Sequence, residues 1–431
     1  MLSSVDVAGT AHFLCLTETR KIEEKMADHA KFGTWFEAVF GFPEPVRYDS
    51  AQNKFHVIRK DDGELILGTT TDPSKQFHVG KFETPSVSDL RLAVSKANGN
   101  VKENETTSAG RDDDGSGGGD HVGLRFRHVV GDAGKLHRDP SNAGAVFQAA
   151  SQFNCLEMAT RRIKPDDGIT RYIVDRTQGP ACALACPAGT VYRNYFASGA
   201  DDGSVGQGKT GVQIDLLSDI GRVVGNDIPE DESENANSTN ENAAKKKKRK
   251  TEKTKYWKVQ NGYALELNRE SMAPLATRLL SNNSLVDGII ANLRVGVHWD
   301  TEVSYVGHES DIGDRLPSPP HRVCQVYCSA IPMSEQRGKG WEPLARAILN
   351  GLYEATLAVG VVKQQEQPQG RIKIYLTMVG GGVFANKDEW IVAAIKRALT
   401  KFQDYPLDVY LVHYGRFAQY YVENIPDTVG K

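Results

Sequence analysis

Ile372-Lys-Ile-Tyr-Leu-Thr-Met-Val-Gly-Gly-Gly-Val-Phe-Ala-Asn-Lys-Asp-Glu-Trp390 is the stretch whose reading decides the fold. An apolar run of strand length, Ile372 to Val379, meets Gly380, Gly381 and Gly382. An amphipathic helix follows over Asp388 to Phe402, with Trp390, Ile391, Ala394, Ile395, Ala398 and Leu399 on one face. Glycines between a buried strand and a helix let backbone N–H groups approach an anion where the helix dipole also favours negative charge. The spacing is neither a Walker loop nor a dinucleotide fingerprint. Taken alone, it reads either as a phosphate cradle or as a tight strand-to-helix turn.

Outward from this unit the chain alternates strands and helices. Val122 to Val130 is a predicted strand ending in Gly131-Asp132, and Ala143 to Ala150 a second one, followed by Ser151-Gln152-Phe153-Asn154. Gln178-Gly179-Pro180 opens a small-residue helix reaching about Phe196, which Pro187 should kink or split. Tyr256 to Leu265, a helix over Met272 to Leu280, and strands at Leu293 to His298 and Arg322 to Cys328 come next. A helix from Glu342 to Leu357 and a last strand at Leu407 to Val412 complete the pattern. It predicts an α/β sheet with ligands at the strand C-terminal ends.

Residues 1–96 read as an N-terminal α+β extension. It has a helix over Ala30 to Phe40, a hairpin around Asp61-Asp62-Gly63, and a helix beginning near Ser86 or Ser88. Polar residues 97–121 read as a disordered connection, and residues 122–420 as the core, interrupted by a low-complexity insert at about 228–254. Within the insert, Lys245 to Lys250 is a basic run that suits a nuclear-import signal, an anion-binding tail or a solvated linker, import and linker equally.

The 431 residues carry a net charge of only -3, so a general polyanion-binding surface is not expected, and nucleic acid is an unlikely partner class. Six scattered cysteines lack a metal-binding spacing and read as buried free thiols, which suits a reducing, cytoplasmic setting. No apolar run approaches membrane-span length, so no membrane partner is expected.

Four ordered pieces resemble the macrodomain family: Gly131-Asp132, Gln148-Ala149-Ala150-Ser151 through Asn154, Gln178-Gly179-Pro180-Ala181, and Gly380-Gly381-Gly382-Val383-Phe384. Two departures stand out. Ser151 occupies a position where the family usually has Asn, and Phe153-Asn154-Cys155-Leu156-Glu157-Met158 replaces a multi-glycine turn. The string from Gln148 to Met158, with Asp175 to Ala183 and His298 to Val303, is similar to the MavL-type subgroup, macrodomains that remove ADP-ribose from arginine, notably on ubiquitin. The resemblance implies a three-layer α/β/α mixed sheet, ADP-ribose as ligand, no cofactor, and an ADP-ribosylated protein, ubiquitin foremost, as partner.

It also assigns roles. Gly380, Gly381, Gly382 and Val383 would form one wall of the diphosphate site, with Gln178 and Gly179 at the other. Phe384 would pack on the distal ribose, Asn386 would bond a ribose hydroxyl or cap the next helix, and Asp132 would accept from the adenine amino group. Phe82 would reach over to stack the adenine, while Gln152 and Asn154 would meet the distal ribose. Cleaving a glycosidic bond to arginine needs a carboxylate to activate water and to hold the guanidinium. Asp300 and Glu302, placed i and i+2 on extended backbone, would share a face and fill that role with Asn154. Asp311 and Asp314 would hold the substrate arginine, and no metal is expected. A hydrolase, an ADP-ribose reader without turnover and an interaction scaffold all remain open at this point.

Overall fold

The apolar runs zip into one sheet of nine strands, flanked on both faces by helices. The computed structural model describes residues 32, 34–105, 123–174, 177–200, 203–209, 211–226, 256–304, 320–366 and 370–428. Asp311, Asp314, Cys15 and the Lys245–Lys250 run lie outside them.

The strands are β1 (Phe55–Arg59), β2 (Leu65–Thr69), β3 (Gln76–Glu83), β4 (Arg125–Val130), β5 (Val146–Ala150), β6 (Trp257–Gln260), β7 (Tyr263–Glu266), β8 (Gly296–Glu302), β9 (Arg322–Cys328), β10 (Ile372–Leu376) and β11 (Leu407–His413). The helices are α1 (Thr34–Phe40), α2 (Tyr48–Gln52), α3 (Val87–Glu105), α4 (Ala133–Arg138), α5 (Gln178–Ala185), α6 (Pro187–Tyr195), α7 (Ser218–Val224), α8 (Ala273–Ser281), α9 (Asn283–Asn292), α10 (Glu342–Gln365), α11 (Asp388–Lys401) and α12 (Gln419–Asn424).

Sheet order is β1-β2-β3-β8-β9-β5-β10-β11-β4, with β6 and β7 forming a separate hairpin. Strands β9, β5, β10, β11 and β4 run parallel, so their C-terminal ends share one edge. Strand β8 runs antiparallel to both β9 and β3, and through β3 the N-terminal strands extend the core sheet. Alternate residues of β5 face opposite layers. Phe147 stacks on His137 of α4 at 3.7 Å, while the adjacent Gln148 donates to Thr356 of α10 at 2.8 Å.

Helix α10 is buried almost all round between Leu344 and Val361, as a helix covered by sheet, α3, α9 and α11 must be. Its one acid in that run, Glu354, is fully buried. Arg91 of α3 (2.6 Å), Arg397 of α11 (2.8 Å) and Lys401 of α11 all donate to it. Burial alone would raise this carboxyl's pKa, but the three cations outweigh it and hold it at about 2. One acid thus ties the N-terminal helix to two core helices.

Pro187 splits the small-residue run at Cys186, as its missing N–H demands. The helix expected to begin near Ser86 or Ser88 starts at Val87, with Ser86 and Asp89 capping α3 reciprocally. The expected connection at 97–121 is shorter than read, because α3 continues to Glu105. Extending a helix already nucleated against α10 costs little even for polar residues. Tyr256 to Leu265 is a hairpin rather than one element, turned at Asn261 (φ 48°) and Gly262 (φ 77°), the left-handed pair of a tight hairpin turn.

Because Glu354 folds with a depressed pKa, its contribution is full above its ordinary value near 4.5 and fades as pH falls towards 2. Glu354→Gln is expected to cost roughly 3 kcal/mol at neutral pH in urea unfolding. The gap between variant and wild type should close on acidification; a gap independent of pH would exclude the hub as its source.

Candidate ligand cleft at the strand C-terminal edge

The loops after β9, β5, β10, β11 and β4 gather at the shared edge, and the glycine loop lies in their midst. Gly380 has φ 82°, and a Cβ there would lie 2.6 Å from the Cβ of Ala330. Only glycine fits that close approach. Asn386 clamps the loop from below: its Nδ2 donates to the carbonyls of Ile331 (2.8 Å) and Gly380 (3.0 Å), and its own N–H to Gly380 (2.8 Å). Gly382 (φ 48°) stands at the open tip, with nothing within 4 Å of a Cβ. Among the described residues, the N–H groups of Gly380, Gly382 and Val383 donate to no protein acceptor. Three free amides on a fixed loop are the donor arrangement that an anion cradle requires.

The cradle differs from its sequence reading in one respect. A short 3-10 turn, Gly382–Phe384, separates the glycines from α11, which starts only at Asp388 and carries Asp388 and Glu389 in its first turn. Those acids already occupy the positive end of the helix dipole. The loop amides, rather than the helix start, are the donors on offer. Phe384 packs its ring 5.6 Å from that of Tyr263.

Across the edge, Gly179 begins α5 so close to β5 that a Cβ would meet the Ala150 carbonyl at 1.8 Å and Glu157 Oε2 at 2.5 Å. Gln178 Nε2 reaches the Gln148 carbonyl at 3.3 Å. Asp132 caps α4, one oxygen accepting from the Lys135 N–H at 3.0 Å. Beside it the Gly131 N–H donates to the His413 carbonyl at 2.9 Å, and the following loop holds Tyr414 and Phe417 with exposed rings. An aromatic surface here suits a planar ligand ring.

Several expected ligand residues are structural. Asn154 is fully buried under the β6–β7 hairpin. Its Nδ2 donates to Gln213 at 3.1 Å, and its Oδ1 accepts from the Leu156 N–H at 3.2 Å. Gln152 is buried beside it and accepts from the Met158 N–H at 2.8 Å. With both ends of the Asn154 amide engaged, the expected ribose contact is lost. Asn386 likewise binds backbone and does not cap α11, whose cap position is Lys387. Phe82 sits mid-sheet on β3, 4.8 Å from the His298 ring and 6.1 Å from Tyr192, three strands from β5. It fills packing space instead of covering a cleft.

The larger correction concerns Asp300 and Glu302. Because β8 is antiparallel, Glu302 pairs with Arg322 at the N-terminal start of β9, the edge opposite the glycine loop. At about 3.3 Å per residue the separation is on the order of 25 Å. The shared-face expectation fails too, since a bulge between His298 and Thr301 turns Asp300 to φ 54°. Asp300 pairs with Lys363 of α10 at 2.8 Å, whereas Glu302 accepts from the His78 N–H at 3.1 Å. Burial raises the Glu302 pKa, partly offset by that hydrogen bond, so its shift does not come from a neighbouring carboxylate.

Glu157 is the carboxylate that sequence reasoning passed over. It is 4% exposed, lies against the first turn of α5, and follows the C-terminal end of β5. Its N–H donates to the Tyr172 hydroxyl at 2.8 Å. Tyr263, whose hydroxyl donates to the Met158 carbonyl at 3.0 Å, links this loop to Phe384. The signal was an acid placed among apolar residues just past a strand end, in Asn154-Cys155-Leu156-Glu157-Met158.

No protein-family model matches the chain, and no curated protein does. Solved structures do. Poly(ADP-ribose) glycohydrolase from Deinococcus radiodurans in complex with ADP-ribose aligns at 13% identity and TM-score 0.24, covering 31% of this chain and 52% of that one. A second crystal form of the same complex aligns at 10% identity and TM-score 0.36, covering 80% and 94%. The Thermomonospora curvata glycohydrolase aligns at 10% identity and TM-score 0.34, covering 94% and 100%. In the first alignment the chain spans about half the length of the structure it matches.

Gly380 and Gly382 both have positive φ but differ in space, which gives a direct check of the loop geometry. Gly380→Ala should cost roughly 1–3 kcal/mol more than Gly382→Ala in chemical unfolding, the price of forcing a methyl against Ala330. Equal costs would mean that the loop is not clamped as described.

Proposed function

We propose that the chain binds ADP-ribose on the glycine loop and hydrolyses the glycosidic bond joining it to an arginine side chain of a modified protein, with ubiquitin the first candidate. The observation that carries the binding half is the trio of free N–H groups at Gly380, Gly382 and Val383, which suits a diphosphate. The arginine linkage and ubiquitin rest on the similarity of the strings around Gln148, Gln178 and Trp299 to the MavL-type subgroup.

The chemistry asks for a carboxylate near the distal ribose. On this reading Glu157 takes the role first given to Asp300 and Glu302, since it lies at the same edge as the cradle. Water adds to the anomeric carbon and gives its proton to Glu157, the carbon–nitrogen bond breaks with its electron pair going to nitrogen, and the departing guanidine takes up that proton. Asp311 and Asp314 keep their proposed role of holding the guanidinium.

A second reading, an ADP-ribose reader without turnover, is favoured by the same displacement of Asp300 and Glu302, because the cradle stands without them. The two readings separate on variants assayed with arginine-, glutamate- and serine-linked ADP-ribosyl substrates. Release from the arginine linkage should fall at least about 100-fold in Glu157→Gln while free ADP-ribose still binds. Asp300→Ala should stay within about twofold of wild type, as expected for a residue at the edge opposite the glycine loop. Binding without release by the wild-type protein on every linkage would establish the reader. Full turnover by Glu157→Gln would remove Glu157 from the mechanism.

A further inference from the structure

On the outer side of the β6–β7 hairpin lies a cavity of about 600 Å³, lined by Arg161, Arg162, Lys258 and Arg337 together with Glu266 and Glu335. Its walls are pinned. Asn261 Nδ2 holds the Arg161 carbonyl at 2.7 Å, and Gln336 bridges the Ala264 and Pro332 carbonyls at 2.8 and 3.0 Å. Gly338 packs so tightly that a Cβ would lie 2.2 Å from the Arg269 carbonyl.

The two acids are already engaged. Glu335 pairs with Arg161 at 3.0 Å. Glu266 accepts the N–H groups of Arg337 (2.9 Å) and Gly338 (2.7 Å), one on each oxygen. Among the described residues, Arg162, Lys258 and Arg337 have no carboxylate partner, and with Arg161 they set four cations against two acids, an excess of two positive charges at one concavity. Gathering like charges in this way raises the local potential and is relieved by a bound anion.

We propose that this cavity is a binding site for a compact anion bearing several phosphate charges, of the pyrophosphate or tripolyphosphate class. Two arginine forks match phosphate oxygens in pairs, and the lysine adds a point charge. The volume lies in the range of small-ligand sites. The site is separate from the glycine loop and does not depend on the activity proposed above. The turn Met333–Glu335 nevertheless packs on the turn Gly382–Phe384, so occupancy of one borders the other.

Calorimetry on the full chain with inorganic pyrophosphate, tripolyphosphate and ATP tests the site. Tripolyphosphate should bind with a dissociation constant on the order of micromolar, weakening steeply with salt. The combined Arg162→Ala, Lys258→Ala and Arg337→Ala variant should bind at least about tenfold more weakly, with an unchanged circular dichroism spectrum. Gly382→Asp, which places a negative charge on the glycine loop, should leave tripolyphosphate binding intact. ATP binding equal to tripolyphosphate marks a free polyphosphate ligand, and ATP binding more than about tenfold tighter marks a nucleotide. The proposal is overturned by any of three results: no heat from any probe at about 1 mM, unchanged affinity in the triple variant, or loss of binding in Gly382→Asp.

Discussion

The direction of β8 is the constraint on which the architecture depends. Five parallel strands need crossover connections and carry their loops to one edge; β8 runs against them and joins them to the antiparallel N-terminal strands. The junction is tight: a Cβ on Gly80 of β3 would lie 1.8 Å from the Trp299 carbonyl, beside the bulge at Asp300. Glycine on one strand and a bulge on the next let the sheet change from parallel to antiparallel order without opening. The same reversal carries Asp300 and Glu302 away from the ligand edge. One strand direction therefore settles both how the N-terminal segment joins the fold and which carboxylates can reach the cradle.

A second constraint holds the loop after β5 in place. Arg193 of α6 is fully buried, yet its described partners are all uncharged. Its Nε donates to the Cys155 carbonyl at 3.0 Å, one terminal nitrogen to Thr190 at 3.0 Å, and the other to His298 Nδ1 at 3.0 Å. The guanidinium lies 3.7 Å over the Tyr327 ring. Arginine has no acceptor, so His298 must present a bare Nδ1 and carry its proton on Nε2. Burial first, and Arg193 second, push the His298 pKa well down, which keeps that tautomer neutral. Because Arg193 grips Cys155, a residue at φ 59°, it fixes the turn that delivers Glu157 to α5.

Local patterns were legible where one residue decides the outcome: Pro187 splitting a helix, Ser86 opening α3, three glycines between β10 and α11, although β10 stops at Leu376 rather than at the expected Val379. The glycine loop and Asp132 came out at the predicted edge for that reason. The misplacements share a cause. The i, i+2 rule for Asp300 and Glu302 assumes regular extended backbone, and neither a bulge nor strand direction is written in the residues themselves. Asn154 and Gln152 were judged by their chain position just past a strand, whereas their fate depends on the hairpin folded over them from about a hundred residues away. Asn261-Gly262 is the hairpin signal that marks this cover.

That hairpin is more than a cover. Its turn seals Asn154, with a Cβ on Gly262 only 2.5 Å from Asn154 Oδ1, and the Gly262 carbonyl accepts the Phe153 N–H at 2.9 Å. Its Tyr263 links the Glu157 loop to Phe384, while Gln260 lines both the cationic cavity and a second cavity of about 970 Å³ on its other side. A two-stranded ribbon is marginal alone and gains its stability from what it touches. Here it touches the loop carrying the buried carboxylate, the aromatic beside the cradle and two cavities. On the proposal made for the cationic cavity, an anion bound there would stabilise the docked position of the ribbon and, through Tyr263, the approach of Phe384 to the Glu157 loop.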